Sequence, residues 1–155
     1  MSKIRIGIDP AFRKGGFGCC IIDESREVAF RYFTGFLDFL LWLWSEESPA
    51  KDAAVSIVIE NSNMQDVTFN RGKVTRGQYG AQSRDAGKNM AISQCTVDAC
   101  VARYGAKKVR GVSPRQKGAK WSKPYAAAVA KGMGLEGAKF KKQDDVDAFQ
   151  LALMA

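Results

Sequence analysis

Four acidic residues stand at positions where an α/β fold can bring them together. Asp9 follows "IRIGI" and Glu60 follows "AAVSIVI", so each carboxylate comes at the carboxyl end of an apolar run of strand length. Asp144 and Asp147 are three residues apart in "DDVDAFQLALMA", a spacing that places both on one face of a helix. If this helix packs near the strand ends, four carboxylates gather at the sheet edge where α/β folds carry their sites.

Such a cluster needs cations to be stable. Two unit charges about 4 Å apart repel by roughly 4 kcal/mol at an effective dielectric constant near 20. Hard oxygen ligands select Mg²⁺ or Mn²⁺, and two such ions about 3.5–4 Å apart can activate a water and stabilise the leaving oxygen of a phosphodiester. The chain has no histidine, which excludes Ser-His and Cys-His triads and removes the commonest zinc ligand.

The pattern of apolar residues predicts an α/β domain spanning residues 1–155. Alternating residues predict three strands, whose short connections favour an antiparallel meander, and an unbroken apolar run predicts a buried central strand. The predicted elements are strands at 3–9, 17–23 and 26–33, a helix at 35–44, a strand at 53–61, a long loop at 61–80, a helix at 82–104, a strand at 107–113, a basic loop at 114–124, and helices that start after Pro124 and at Asp144.

The charge is concentrated in one part of the chain. The net charge is +8, and twelve Lys or Arg residues stand between Arg103 and Lys142 against one acid, Glu136. This imbalance predicts a polyanionic partner, above all nucleic acid. The four cysteines lack zinc-finger spacing and are expected to be buried free thiols. Without a bilayer-length apolar run or a signal peptide, we expect a soluble, cytoplasmic protein and no membrane partner.

Four segments, in order and over nearly the whole chain, resemble motifs of the RuvC-type Holliday-junction resolvases of the ribonuclease H-like superfamily. They are "IGIDPAFRKGGFG", "IVIEN", "VSPRQKGAKWSKP" and "DDVDAFQLALMA". The resemblance implies a ribonuclease H-like mixed five-stranded sheet, a three-stranded antiparallel meander plus two further strands, flanked by helices. It implies a crossover junction endodeoxyribonuclease that acts as a homodimer and resolves four-way DNA junctions by paired phosphodiester hydrolysis.

The resemblance also assigns residues. It makes Asp9, Glu60, Asp144 and Asp147 the catalytic, metal-binding quartet for two Mg²⁺ or Mn²⁺ ions, with no organic cofactor. Asp145, about 100° away around the helix, is the second choice. The family's histidine in the last helix, present in some relatives, is absent here, so carboxylates and bound water must suffice.

DNA contacts are implied in the basic loop and in the loop after Glu60. Lys117 and Lys123 match basic family residues near the scissile phosphate, and the same loop contains Arg115 and Lys120. The family has an aromatic residue that stacks at the junction crossover. In this chain Phe69 is the nearest candidate, and Tyr79 is the other. The helix at 82–104, rich in small residues, is a candidate for the dimer contact or for ordinary packing on the sheet.

Three alternatives remain at this stage. A ribonuclease H-like nuclease could act on flaps, other branched DNA or structured RNA with the same acidic cluster. A non-catalytic nucleic-acid-binding protein could keep the fold, although a binder gains nothing from four acids beside a basic groove. An ATPase-like fold also begins with an acidic, glycine-containing hairpin, but it needs two lobes, and 155 residues provide one.

Overall fold

The computed structural model describes residues 3–12, 15–64 and 76–155, without the side chains of residues 76–79 and 82. Short 3₁₀ turns at Ser62–Met64 and Ala106–Lys108 join longer elements. The strands and helices, in chain order, are β1 (Ile4–Asp9), β2 (Phe17–Ile22), β3 (Val28–Phe33), α1 (Phe36–Leu43), β4 (Val55–Glu60), α2 (Arg76–Tyr104), β5 (Val109–Val112), α3 (Pro114–Lys117), α4 (Lys123–Gly132) and α5 (Gln143–Met154).

The five strands form one mixed sheet in the order β3-β2-β1-β4-β5. β1, β2 and β3 pair antiparallel, whereas β4 pairs parallel with both β1 and β5. This arrangement confirms the predicted α/β class with a three-stranded meander plus two further strands. Ile8 lies opposite Ile59, so Asp9 and Glu60 follow side by side at the carboxyl edge of the sheet.

The two faces of the sheet are covered by different helices. Ile6 and Ile8 of β1, together with Ile57 and Ile59 of β4, lie in a core that includes buried residues of α1 and α2. Successive side chains of a strand point to opposite faces. Asp9 and Glu60 therefore belong to the other face, which α5 covers.

Helix α5 is buried along most of its length, from Asp145 to Ala152. Its apolar residues Val146, Ala148 and Phe149 pack with Cys20 and Ile22 of β2 in a second core cluster. Because α5 starts at the carboxyl edge of the sheet, packing its apolar face also brings its acidic first turns to the ends of β1 and β4.

The two largest differences from the predicted boundaries lie at the start of α2 and in the basic loop. The second long helix starts at Arg76 rather than at residue 82, so it takes up the end of the predicted loop at 61–80. The predicted basic loop at 114–124 begins with the short helix α3, because Ser113 and Gln116 form a capping box. Ser113 Oγ accepts from Gln116 N at 3.1 Å, and Gln116 Oε1 accepts from Ser113 N at 2.8 Å.

All four cysteines are free thiols, as predicted. Cys19, Cys20 and Cys100 are buried, but Cys95 is exposed on α2, so the expectation of burial was wrong for that residue. Among the helices in the part of the chain that the structure describes, none is long and apolar enough to cross a bilayer.

Candidate metal centre

Three aspartates meet at the carboxyl edge of the sheet. Asp9, Asp144 and Asp147 each offer one carboxylate oxygen, and these three oxygens lie within 4.8 Å of one another. Asp147 is buried, whereas Asp9 and Asp144 are partly exposed. Three convergent carboxylates form the hard-oxygen donor set that Mg²⁺ and Mn²⁺ prefer, so these residues fit a divalent ion.

The positions of the three aspartates follow from the elements that carry them. Asp9 is the last residue of β1, and Asp144 and Asp147 lie in the first two turns of α5. Acidic residues at the start of a helix interact favourably with its positive end. The structure therefore brings together the three aspartates that were predicted from their positions in the sequence.

The carboxyl group of Asp9 has a raised pKa. Burial raises the pKa of its carboxyl group, and the neighbouring Glu60, Asp147 and Asp144 raise it further, whereas Lys117 lowers it. The resulting pKa is about 8. These effects favour the protonated form of Asp9, whereas a bound divalent ion would favour its ionised form.

Glu60 lies beside the three aspartates, but it has a different partner. Its Oε2 accepts a hydrogen bond from Lys117 Nζ at 2.7 Å, and the same Nζ lies 3.9 Å from Asp147 Oδ1. Burial lowers the pKa of Lys117, but the hydrogen bond to Glu60 and the surrounding carboxylates outweigh this effect and raise it. The group of three converging carboxylates, as found among the described residues, does not include Glu60, whose role as a ligand stays a prediction.

Two glutamines of α5 connect the cluster to residues 114–124, the basic segment. Gln143 Nε2 donates to the carbonyl oxygen of Trp121 at 2.9 Å and lies 3.4 Å from Asp147 Oδ1. Gln150 Nε2 donates to the carbonyl oxygens of Lys117 and Ala119, both at 3.0 Å. Neither glutamine was among the site residues predicted from the sequence. For Gln150 a signal existed, since a polar residue within the apolar run "AFQLALM" predicts a buried hydrogen bond.

Asp145, the second choice as a ligand, has a structural role. Its Oδ2 accepts from the backbone N–H groups of Lys141 and Lys142 at 2.7 and 2.9 Å. It therefore stabilises the start of α5 rather than facing the three converging aspartates.

The segment after Glu60 is tied to α2 by polar contacts. Asn63 Nδ2 donates to the carbonyl oxygen of Met90 at 2.6 Å, and the hydroxyl oxygens of Ser62 and Ser93 are 3.2 Å apart. These contacts fix the end of β4. Further along, Phe69 and the side chain of Tyr79 lie outside the described residues, so their stacking role stays a prediction.

The remaining predicted DNA contacts lie on the surface. Arg115, Lys120 and Lys123 are exposed, and Lys123 Nζ donates to the carbonyl oxygen of Lys141 at 2.9 Å. They flank Lys117 in the sequence, and Lys117 contacts the carboxylates at the carboxyl edge of the sheet. The DNA-binding assignments themselves stay predictions.

Comparison with known proteins supports the fold. No protein-family model and no curated protein matches the sequence. Among solved structures, T. thermophilus RuvC in complex with Holliday junction substrate matches with a TM-score of 0.53 and 15% sequence identity. The match covers 97% of this chain and 91% of that chain. The protein therefore has the RuvC-like, ribonuclease H-like fold.

Proposed function

We propose that this protein is a divalent-metal-dependent crossover junction endodeoxyribonuclease that resolves four-way DNA junctions. The observation that carries the proposal is the meeting of Asp9, Asp144 and Asp147 within 4.8 Å, beside a segment rich in lysine and arginine. Convergent carboxylates without a cation repel one another, whereas a nearby basic surface attracts a polyanion. A nuclease needs both features at one place.

The acidic residues have distinct roles in the proposed reaction. Asp9, Asp144 and Asp147 would hold a divalent ion, and Glu60 would complete the quartet for a second Mg²⁺ or Mn²⁺. When bound, such ions supply the Lewis acidity that activates a water and neutralises the leaving oxygen of a phosphodiester. Gln143 would orient Asp147, because its Nε2 donates both to Asp147 Oδ1 and to the Trp121 carbonyl oxygen.

The basic residues bind and align the nucleic acid. Arg115, Lys120 and Lys123 are exposed, so they would contact backbone phosphates on either side of the cleaved bond. Lys117 reaches into the cluster, so it is the cation placed to meet the phosphate that reacts. Phosphate contacts of this kind set the register of the substrate without reading its sequence.

Four-way DNA is the preferred substrate class because the structural neighbour was solved with a Holliday junction substrate. Resolution of a junction requires two symmetric cuts, so we propose that the protein acts as a homodimer. Sedimentation at micromolar concentration measures this property directly.

The experiment compares labelled four-way, flap, duplex and structured RNA substrates in Mg²⁺, Mn²⁺ or EDTA. We expect paired cuts in the four-way junction with either metal and none with EDTA. Asp147→Asn should abolish cleavage, whereas Asp98→Asn, an exposed aspartate on α2, should cut like the wild type. Preferential cleavage of flaps or RNA would change the assigned substrate. If no substrate were cleaved, the proposal that the protein is a nuclease would be wrong.

A further inference from the structure

Lys117 differs from the other cations of the basic segment because its ammonium group lies inside the acidic cluster. Its side chain is only 10% exposed, whereas Arg115, Lys120 and Lys123 are exposed. Its Nζ lies 2.7 Å from Glu60 Oε2 and 3.9 Å from Asp147 Oδ1. A cation therefore already sits between two of the four carboxylates.

The backbone that carries Lys117 is held in place. The capping box of Ser113 and Gln116 starts α3, and buried Gln150 on α5 binds the carbonyl oxygens of Lys117 and Ala119. Because α5 also carries Asp147, the lysine and this carboxylate are attached to one framework. The backbone of Lys117 is thus fixed relative to Asp147, and the ammonium group contacts Glu60 from this position.

The cluster consequently divides into two parts. One part is the group of three aspartate oxygens within 4.8 Å, and the other is the ion pair of Glu60 with Lys117. A divalent ion approaching the aspartates meets three carboxyl groups, and its charge favours the ionised form of Asp9. A divalent ion approaching Glu60 meets a carboxylate that is already neutralised and an ammonium that repels it.

We propose that Lys117 is a built-in cation that keeps Glu60 out of the ligand set, so that the protein without nucleic acid binds one divalent ion and not two. The inference rests on the proposed function, and it names how the same site is regulated. A backbone phosphate at this edge offers the ammonium group a second anion. Substrate binding therefore releases Glu60 for the second ion.

The test counts Mn²⁺ ions bound to the metal-stripped protein by isothermal titration calorimetry. Wild type should bind one ion, and Lys117→Met should bind two, with the first bound about tenfold more tightly because a nearby positive charge is gone. Lys117→Arg should keep one ion. Lys131→Met, which removes an exposed lysine of α4, should bind one ion as the wild type does.

Glu60 supplies the matched tests. Glu60→Gln, which preserves shape, should still bind one ion in the presence of Lys117, and the double variant Lys117→Met with Glu60→Gln should return from two ions to one. Two ions in the wild type, one ion in a folded Lys117→Met protein, or loss of all binding in Glu60→Gln would overturn the inference.

A final titration adds a four-way junction at a temperature at which a gel shows that it stays uncut. The wild type should then bind a second ion, and a stoichiometry that stays at one with the junction bound would contradict the release of Glu60. If the protein cuts the junction but neither Lys117→Met nor the junction complex binds a second Mn²⁺ ion, this inference is wrong and the proposed function stands. If the ion counts are as expected but the protein cuts no substrate, the proposed function is wrong and this inference stands.

Discussion

Gly7 of β1 lies directly against the backbone of Ala148 in α5. A Cβ atom on Gly7 would overlap the carbonyl oxygen of Ala148 and the amide nitrogen of Ala152, and it would lie 2.9 Å from the carbonyl carbon of Leu151. Helix and strand therefore approach each other as closely as backbones can. This approach sets the distance between Asp9, two residues along β1, and the aspartates of α5.

We expect Gly7→Ala to push α5 away from the sheet and to destabilise the protein by about 3 kcal/mol or more, because no side-chain movement can relieve a clash with backbone. Mn²⁺ binding should weaken together with the melting temperature. Gly87→Ala is the matched control, since nothing lies within 4 Å of its Cβ position in α2, and it should stabilise by up to about 1 kcal/mol. Equal melting temperatures for the two variants would contradict the close approach.

Asp144 and Asp145 are neighbours in the sequence with opposite expected roles. Asp144→Asn removes a carboxylate from the converging group, so it should weaken Mn²⁺ binding and abolish cleavage without lowering the melting temperature. Asp145→Asn weakens an acceptor of two backbone N–H groups, so it should lower stability by about 1–2 kcal/mol while Mn²⁺ binding persists. Thermal melting and calorimetry on both variants test this division. The reverse pattern would make Asp145 the ligand.

Much of the site could be predicted because it depends on local periodicity. Ile6 and Ile8 alternate with Gly7 and Asp9, so the apolar face of β1 is evident and the acid must lie on the opposite face. Glu60 ends β4 in the same way. Two strands with this pattern, once parallel and adjacent, can only place their acids together.

The ion pair of Lys117 with Glu60 could not be predicted, since the two residues are 57 positions apart and any lysine of the segment could have filled that place. The choice depends on α3 and on the hydrogen bonds of Gln150, which hold the backbone of Lys117 near α5. Helix α3 did have a local signal, because Ser113, Pro114 and Gln116 form a helix-start pattern. The spacing of apolar residues predicts which face of a strand or helix is buried, but it does not predict the distance between two elements.

The raised pKa of Asp9 predicts a pH-dependent stability in the absence of metal. The carboxyl group has a pKa of about 8 in the folded protein against 3.8 ordinarily, so the folded state holds a proton that the unfolded state has lost across this window. Its contribution to the free energy of unfolding is fully present below about pH 4 and falls as pH rises toward 8, by up to about 1 kcal/mol per pH unit.

Asp9→Asn removes this dependence. The wild type should lose stability as pH rises, and the variant should not. In EDTA, the melting temperature of the variant minus that of the wild type should therefore increase by several degrees between pH 5 and pH 8. The buffers should have equal ionic strength, and Asp98→Asn, an exposed aspartate, serves as the control that follows wild type. Parallel curves for Asp9→Asn and wild type would show that Asp9 titrates normally.

The exposed lysines near the cluster predict how DNA binding responds to salt. Each phosphate contact contributes about −0.9 to the slope of log K against log salt concentration on B-DNA. The double variant Lys120→Ala with Lys123→Ala should therefore flatten the slope for a four-way junction by up to about two. The measurement is fluorescence anisotropy with EDTA present, between 50 and 300 mM salt, concentrations chosen to span the steep range.

The matched control removes the same charge from the opposite edge of the sheet. Lys3 and Lys51 are exposed and precede the amino ends of β1 and β4, away from the carboxylates. Lys3→Ala with Lys51→Ala lowers the net charge by the same two units, so it should weaken binding slightly through the overall field and leave the slope unchanged. If both double variants flattened the slope equally, net charge alone would drive binding, and the basic segment would lie off the DNA path.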